Sequence, residues 1–314
     1  MNYSIVIRTI GKAGEKYQKL LNSIERLDIK PLEILVVLPK GYDLPQQQLG
    51  YEKFVFSEKG MVNQRIFGGQ EAKGEYILFL DDDVEFSSSL VNDLYEPIKN
   101  ELCELSVPAY DSLFPPKKGL QKVIPWVTYA AVPMLFSKNM YVKILKSGGW
   151  AYNYNHSDKY LLTQSAAGMC CLCSKKDFLN IHYEHDLWLE DCTYALWEDQ
   201  VMYYKFCLNG YKIMSVNNIN ITHLDAGTST DLQRIKNAAF ANARNKSIFW
   251  YKYIYCQQQS KINKLFSIIA FQYHKLSTLF IYRLASMLRK SKKEEYEAFK
   301  NGYKSGRRFI KHEE

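Results

Sequence analysis

Over its first eighty residues the chain alternates short apolar runs with stretches of helical spacing. Tyr3 to Ile7 is a run rich in β-branched residues and reads as a buried strand. Leu20, Leu21, Ile24 and Leu27 recur on one helix face. Glu33 to Leu38 is a second strand, ended by Pro39 and Gly41, and Phe54 to Phe56 reads as a third. Met61 to Ala72 has a helical pattern that stops at Lys73-Gly74, and Tyr76 to Leu80 (YILFL) is a strong buried strand. This order predicts an α/β fold: a single doubly wound, mostly parallel sheet with helices on both faces. Such sheets bind ligands beyond the carboxyl ends of their strands, so the residues after each strand are the ones to read for chemistry.

The second half is less regular. Gly168 to Cys173 and Lys212 to Val216 read as strands, and Asp199 to Leu208 as a helix closed by Asn209-Gly210. Leu265 to Leu288 is apolar, but Lys275 and Arg283 cut it into runs well short of the ~18 residues that cross a bilayer. Wound as a helix, Leu265, Ile269, Tyr273, Leu276, Phe280, Leu284 and Met287 share one arc. Lys261, Lys264, Lys275, Arg283, Arg289, Lys290 and Lys293 share another. A helix of this kind either lies on an anionic membrane surface or packs on the body with a solvated basic face. The expected organisation is a catalytic domain over residues 1–255, with a nucleotide-binding half to about 105 and an acceptor half after it. A basic amphipathic helical extension over 256–314 completes it.

Composition sharpens this picture at two points. From Lys261 onward there are 13 Lys and Arg against 5 Glu, an excess equal to the net charge of the whole chain, +8. The body is therefore close to neutral, which argues against a nucleic-acid-binding surface on it. The seven cysteines lack the spacing of a disulfide framework, and Met1 to Arg8 runs into a strand with no apolar leader. Both favour a reducing, cytoplasmic setting, peripheral on the inner face of the cell membrane if the extension binds lipid.

Three places hold chemistry. Asp81, Asp82 and Asp83 follow the YILFL strand directly; they are either a solvated turn or a cluster neutralised by a hard divalent cation, Mn²⁺ or Mg²⁺. Glu198-Asp199 opens a helix, where acids also serve as caps. His223 follows a strand, and a lone His is more often structural. Cys170 and Cys173 form a C-x-x-C, but no second pair follows to complete a zinc site, so they read as buried thiols. Trp150, Tyr152, Tyr154, Trp188, Tyr194 and Trp197 flank the acidic pair, and aromatic faces can stack on sugar rings.

In combination these features resemble glycosyltransferase family 2, inverting enzymes of GT-A architecture. The matching segments are Gln64-Arg65-Ile66-Phe67-Gly68, Ala72 to Asp83 (AKGEYILFLDDD), Glu198-Asp199, Gly210-Tyr211-Lys212-Ile213 and His223, over roughly residues 3 to 250. The resemblance implies transfer from a nucleotide diphosphate sugar, with a UDP-sugar expected, to a glycan or lipid-linked acceptor in cell-surface polysaccharide or glycolipid assembly. It implies Asp199 as the general base, supported by Glu198. Thr9, Arg65, Asp81 and Asp82 would bind the donor, and Asp83 and His223 the metal. Trp188 and Trp197 would meet the acceptor by the same analogy. The chain departs from the family where an acid usually follows the second strand; here the strand runs VVLPKG, which leaves the nucleobase open. Two other classes stand beside this reading. A sugar nucleotidyltransferase would need a Gly-rich phosphate loop after the first strand, of which Arg8 to Gly14 holds only an echo. A non-catalytic sugar-nucleotide-binding module would have no need of both Asp83 and Asp199.

Overall fold

The computed structural model describes residues 1–109, 119–135, 139–153, 157–224 and 231–313. Tyr154 lies outside them. In chain order the elements are β1 (Tyr3–Arg8), α1 (Glu15–Glu25), β2 (Glu33–Pro39), β3 (Lys53–Ser57), α2 (Met61–Glu71), β4 (Tyr76–Asp81), β5 (Val84–Phe86), α3 (Leu90–Lys99) and β6 (Leu105–Pro108). They continue with α4 (Leu120–Val127), β7 (Ala131–Pro133), β8 (Met140–Ile144), β9 (Trp150–Tyr152), β10 (Tyr160–Thr163), β11 (Cys170–Ser174), α5 (Lys175–Asn180) and α6 (Glu198–Leu208). The last are β12 (Ile213–Val216), β13 (Ile221–His223), α7 (Leu232–Phe249), α8 (Lys261–Leu288) and α9 (Lys290–Glu313).

The chain divides into two units. The first comprises Met1–Pro116, Ser157–Trp188 and Glu198–Gly227. Its strands run in the order β3-β2-β1-β4-β11-β6-β12-β10. β1 is parallel to both β2 and β4, β3 to β2, and β12 to β6, whereas β11 and β10 run antiparallel to their neighbours. Alternation along β1 explains the layers. Tyr3, Ile5 and Ile7 enter a core with Leu20, Leu21 and Ile24 of α1 and Leu90, Val91 and Leu94 of α3. Val6 faces the other way, under α2, where a Cβ on Gly68 would lie 2.4 Å from Val6 Cγ1; only glycine lets the helix come this close. With both faces covered, every residue of β2 is buried, as the unbroken EILVVL run anticipates. The expected α/β sheet with helices on both faces is therefore present. A separate two-stranded ribbon pairs β5 with β13 antiparallel, setting His223 opposite Val84.

The second unit comprises Lys117–His156, Leu189–Trp197 and Thr228–Glu314. Residues 256–314, expected as a helical extension, fall in this unit together with segments from the middle of the chain. In this unit β9 pairs parallel with β7 and antiparallel with β8. α7 and α9 meet at Gly302 and Gly306, one turn apart: a Cβ there would lie 2.4 Å from Phe240 O and 2.9 Å from Arg244 O respectively. α8 buries Ser267, Phe271, His274 and Thr278. All seven residues of the apolar arc named from the sequence, Leu265 to Met287, are exposed instead. Among the described residues no helix is long and apolar enough to cross a membrane. The seven cysteines are unpaired, and Cys170, Cys171 and Cys173 are fully buried on β11.

Candidate active site at the carboxyl ends of the strands

Parallel pairing of β1 with β4 sets Arg8 opposite Asp81, the last residue of each strand. The Arg8 guanidinium closes on that carboxylate, Nε donating to Oδ1 at 2.5 Å and Nη2 to Oδ2 at 3.2 Å. Its remaining arm, Nη1, donates to Glu198 Oε1 at 2.6 Å. Arg65, from α2, donates from Nη1 to the other oxygen of Glu198 at 2.7 Å and from Nη2 to the carbonyl of Gly168 at 2.7 Å. Tyr183 donates its hydroxyl to the Glu198 carbonyl at 2.7 Å. Glu198 is 4% exposed and Arg65 1%. A buried carboxylate held by two guanidinium groups is spent: neither oxygen is left to take a proton from a substrate.

Arg65 was expected at the nucleotide. The structure places its guanidinium in the interior, committed to Glu198 and Gly168. Glu198, expected as the support of Asp199, is the shared counterion of Arg8 and Arg65. Arg8 itself was not singled out in the sequence. The signal was present, a cation at the end of a strand whose parallel neighbour ends in an acid, but the register that joins them is a tertiary fact.

Asp199 differs from its neighbour. Its Oδ1 accepts from the Gln200 amide at 2.8 Å, and the side chain is half-buried. Burial pushes its carboxyl up to about 6, and the negative charge of Glu198 adds to the shift. It packs against Gly168, where a Cβ would lie 2.7 Å from Asp199 Cβ. The two adjacent acids therefore have separate characters, one locked in ion pairs and one available to exchange a proton near neutral pH.

The acidic triplet is divided in the same way. Asp81 is held by Arg8. Asp82 accepts from the Thr9 hydroxyl at 2.5 Å, and that oxygen in turn accepts from the Gly11 amide at 2.9 Å. Burial pushes Asp82 up to about 6; the Thr9 bond works against the shift, and Asp83 and Asp81 add to it. Asp83 Oδ2 lies 3.1 Å from His223 Nε2, and the Asp83 carbonyl accepts from the Leu224 amide at 2.8 Å. The ribbon of β5 and β13 is what brings these residues together across 140 positions. Among the described residues no three His, Cys, Asp or Glu side chains form a ready metal cluster. The Asp83–His223 pair nevertheless fits a divalent cation. Two neighbouring ligands at about 2.1 Å in an octahedron stand about 3 Å apart, and Mg²⁺ habitually takes one or two protein ligands, with substrate phosphates and water completing its shell.

The two expected acceptor tryptophans are buried and lie in different units. Trp188 donates its indole N–H to Asp186 Oδ1 at 2.8 Å, and Asp186 also pairs with Lys205. Trp197, in the second unit, stacks on Trp150 at 4.9 Å and donates to Asn242 at 2.7 Å. At the end of β2, Leu38 and Pro39 are both buried, so no acid stands where the family usually has one.

The family model for Glycosyl transferase family 2 matches residues 4–160, half of the chain. The chain belongs to that family. The matched segment carries Arg8, Thr9, Arg65 and the Asp81–Asp83 triplet, whereas Glu198, Asp199 and His223 lie beyond it. A search of curated proteins returned no significant match. Among solved structures, the chain is similar to one of GalNAc-T7 with UDP, GalNAc and Mn²⁺, at 15% identity and a TM-score of 0.49. That similarity covers 87% of this chain and 56% of the other.

The raised pKa of Asp199 has a consequence for stability. Its unfolded value is near 3.9 and its folded value near 6, so the fold gains from the protonated form; that gain is complete below pH 4 and is lost as pH rises through 6. Asp199→Asn, which is always neutral, should be more stable than wild type at pH 7.5 by about 1 to 2 kcal/mol, allowing for partial solvent screening. The difference should vanish at pH 4. Urea unfolding at the two pH values checks this.

Proposed function

We propose that this chain is a glycosyltransferase that works with inversion, moving a sugar from a nucleotide diphosphate donor, a UDP-sugar first among those to test, onto a hydroxyl of a glycan or lipid-linked acceptor. Assembly of a cell-surface polysaccharide or glycolipid is the setting this reading implies. The observation that carries it is the division of labour between Glu198 and Asp199. A direct displacement needs a carboxylate to take the acceptor proton as the new bond forms. Glu198 cannot, because Arg8 and Arg65 occupy both of its oxygens. Asp199 can, with a carboxyl near 6 that is ionised at neutral pH yet basic enough to accept a proton.

Thr9 and Asp82 would line the donor pocket at the end of β1, where their mutual hydrogen bond fixes both side chains. Asp81, already neutralised by Arg8, would add no unbalanced charge beside a diphosphate. Asp83 and His223 would hold Mn²⁺ or Mg²⁺. Bound there, the ion would neutralise charge that builds on the departing diphosphate. The oxygen and imidazole ligands suit these ions, and the absence of thiolate from the pair disfavours a zinc role.

A membrane setting for the acceptor is supported by α8. Its 28 residues contain no acid, and its exposed arc includes Leu276 and Phe280, each more than 60% exposed. The arc continues onto α4, where Tyr273 donates to the Val127 carbonyl at 2.9 Å and both Val123 and Val127 are exposed. Apolar side chains beside Lys261, Lys264, Lys275 and Arg283 match an anionic lipid surface in both polarity and charge. Of the two settings open from the sequence, a membrane surface or packing on the body, the outward apolar arc supports the first.

Two experiments test these assignments. Asp199→Asn should fold, bind nucleoside diphosphate with Mn²⁺ as wild type does, and lose at least ~10²-fold in transfer rate. Chelation or Asp83→Ala should instead weaken nucleotide binding. Transfer by Asp199→Asn at the wild-type rate, or donor affinity indifferent to chelation, would overturn the base and metal roles respectively. For the membrane, deletion of α8 would uncover the second unit, so the variant is Leu276→Glu with Phe280→Glu. Full-length protein should sediment with anionic vesicles and the double variant should not, with an unchanged melting temperature. Equal sedimentation would exclude α8 as the contact.

A further inference from the structure

The second unit holds a buried cation of a kind seen nowhere else among the described residues. Arg8 and Arg65 share Glu198, Lys205 has Asp186, and Arg244 has Asp191. Lys246, near the end of α7, is 4% exposed, yet among the described residues no carboxylate pairs with its ammonium group. Its neighbours are aromatic. Nζ lies 5.4 Å from the ring centre of Trp197 and 5.8 Å from that of Trp150, and these two rings are themselves stacked at 4.9 Å. Indole faces attract a cation but do not neutralise it.

The surroundings keep the group uncompensated rather than relieving it. His274, also buried, places Nδ1 2.7 Å from the Thr128 carbonyl, so that nitrogen carries the ring proton. Burial and the charge of Lys246 hold His274 down to about 3, neutral at working pH. Burial alone pushes Lys246 down to about 7. An interior that only needed to fill space here would be served better by Met or Leu.

Trp197 adds an independent sign of function. Its backbone sits at φ +81°, a region that a bulky side chain adopts only under constraint. The constraint is visible: the indole N–H is tied to Asn242 at 2.7 Å, and the ring is packed between Trp150 and Phe249. Strain of this kind collects at ligand sites. Trp197 is also the residue that directly precedes Glu198-Asp199 in the chain.

We propose that Lys246, Trp150 and Trp197 form a binding site for an oxyanion carried by the acceptor, with Lys246 supplying the counter-charge and the tryptophan pair flanking the group that bears it. This rests on the glycosyltransferase reading above, since it makes the second unit the acceptor's reader. A phosphate on a lipid carrier and a carboxylate on an acidic sugar share the chemistry. The site completes the ion pair that the protein leaves open.

Calorimetric titration of the full-length protein in EDTA, with geranyl monophosphate in one arm and glucuronate in the other, tests the site. Chelation keeps the phosphate from being captured by metal at Asp83 and His223. Wild type should bind one of the two saturably: the first identifies a lipid phosphate, the second a sugar carboxylate. Lys246→Met should lose that binding at least tenfold while melting no lower than wild type, and Lys246→Arg should keep part of it. Undiminished binding by Lys246→Met, or no binding of either probe to wild type, would overturn the proposal. UDP binding with Mn²⁺, measured in parallel, separates the two levels. If UDP binds and the probes do not, the acceptor site alone fails; if UDP binds to neither protein, the donor reading fails first.

Discussion

The site depends on one interaction, the closure of two guanidinium groups on the carboxylate of Glu198. Arg8 comes from the end of β1, Arg65 from α2 and Glu198 from the start of α6, so a single buried anion joins three elements that are 57 to 190 positions apart in sequence. Each partner would be costly alone in the interior, and removal of one member of such a set typically costs about 3 to 5 kcal/mol because the others lose their counter-charge. The arrangement also fixes the start of α6 in direction. With Glu198 turned inward to the two arginines, Asp199 is left against Gly168, half-exposed and with a raised pKa. The chemistry proposed for Asp199 is thus a by-product of where its neighbour is tied.

Much of this was legible in the sequence, for identifiable reasons. β1, β2 and β4 are buried on both faces, so their apolar runs are unbroken and their ends are sharp. Asp81 to Asp83 could be placed at a strand's carboxyl end without any structure. Arg8 could not, because its meaning lies in its register against Asp81. Arg65 takes a donor contact from the family resemblance alone, and burial with a distant Glu is invisible locally. The second unit was the least legible part. Its strands are three to five residues long, and its assembly uses Gly302 and Gly306, which in sequence read only as weak points in a helix. The apolar arc of α8 was read correctly as an arc, but periodicity cannot say whether such a face turns to a core or to the outside. Here it turns outward, and the polar Ser267, His274 and Thr278 turn inward with Phe271.

Charge is placed with a consistent logic in the two units. In the first, three acids are met by cations within the protein, Asp81 and Glu198 by arginines and Asp186 by Lys205, whereas Asp82 and Asp199 have only neutral donors among the described residues. In the second, Arg244 has Asp191, but among the described residues Lys246 and the basic residues of α8 meet no carboxylate. On the proposed reading, a donor diphosphate would bring negative charge to the acidic triplet and a divalent cation would balance it. An anionic acceptor or lipid surface would bring the charge the second unit lacks.

The most direct test of the account is the unfolding free energy of Glu198→Gln beside that of the wild type at pH 7.5. The amide keeps the shape and removes only the charge, leaving Arg8 and Arg65 buried with one shared anion too few. We predict a loss of about 3 to 5 kcal/mol. Stability within about 0.5 kcal/mol of the wild type would contradict the claim that this buried ion set organises the site.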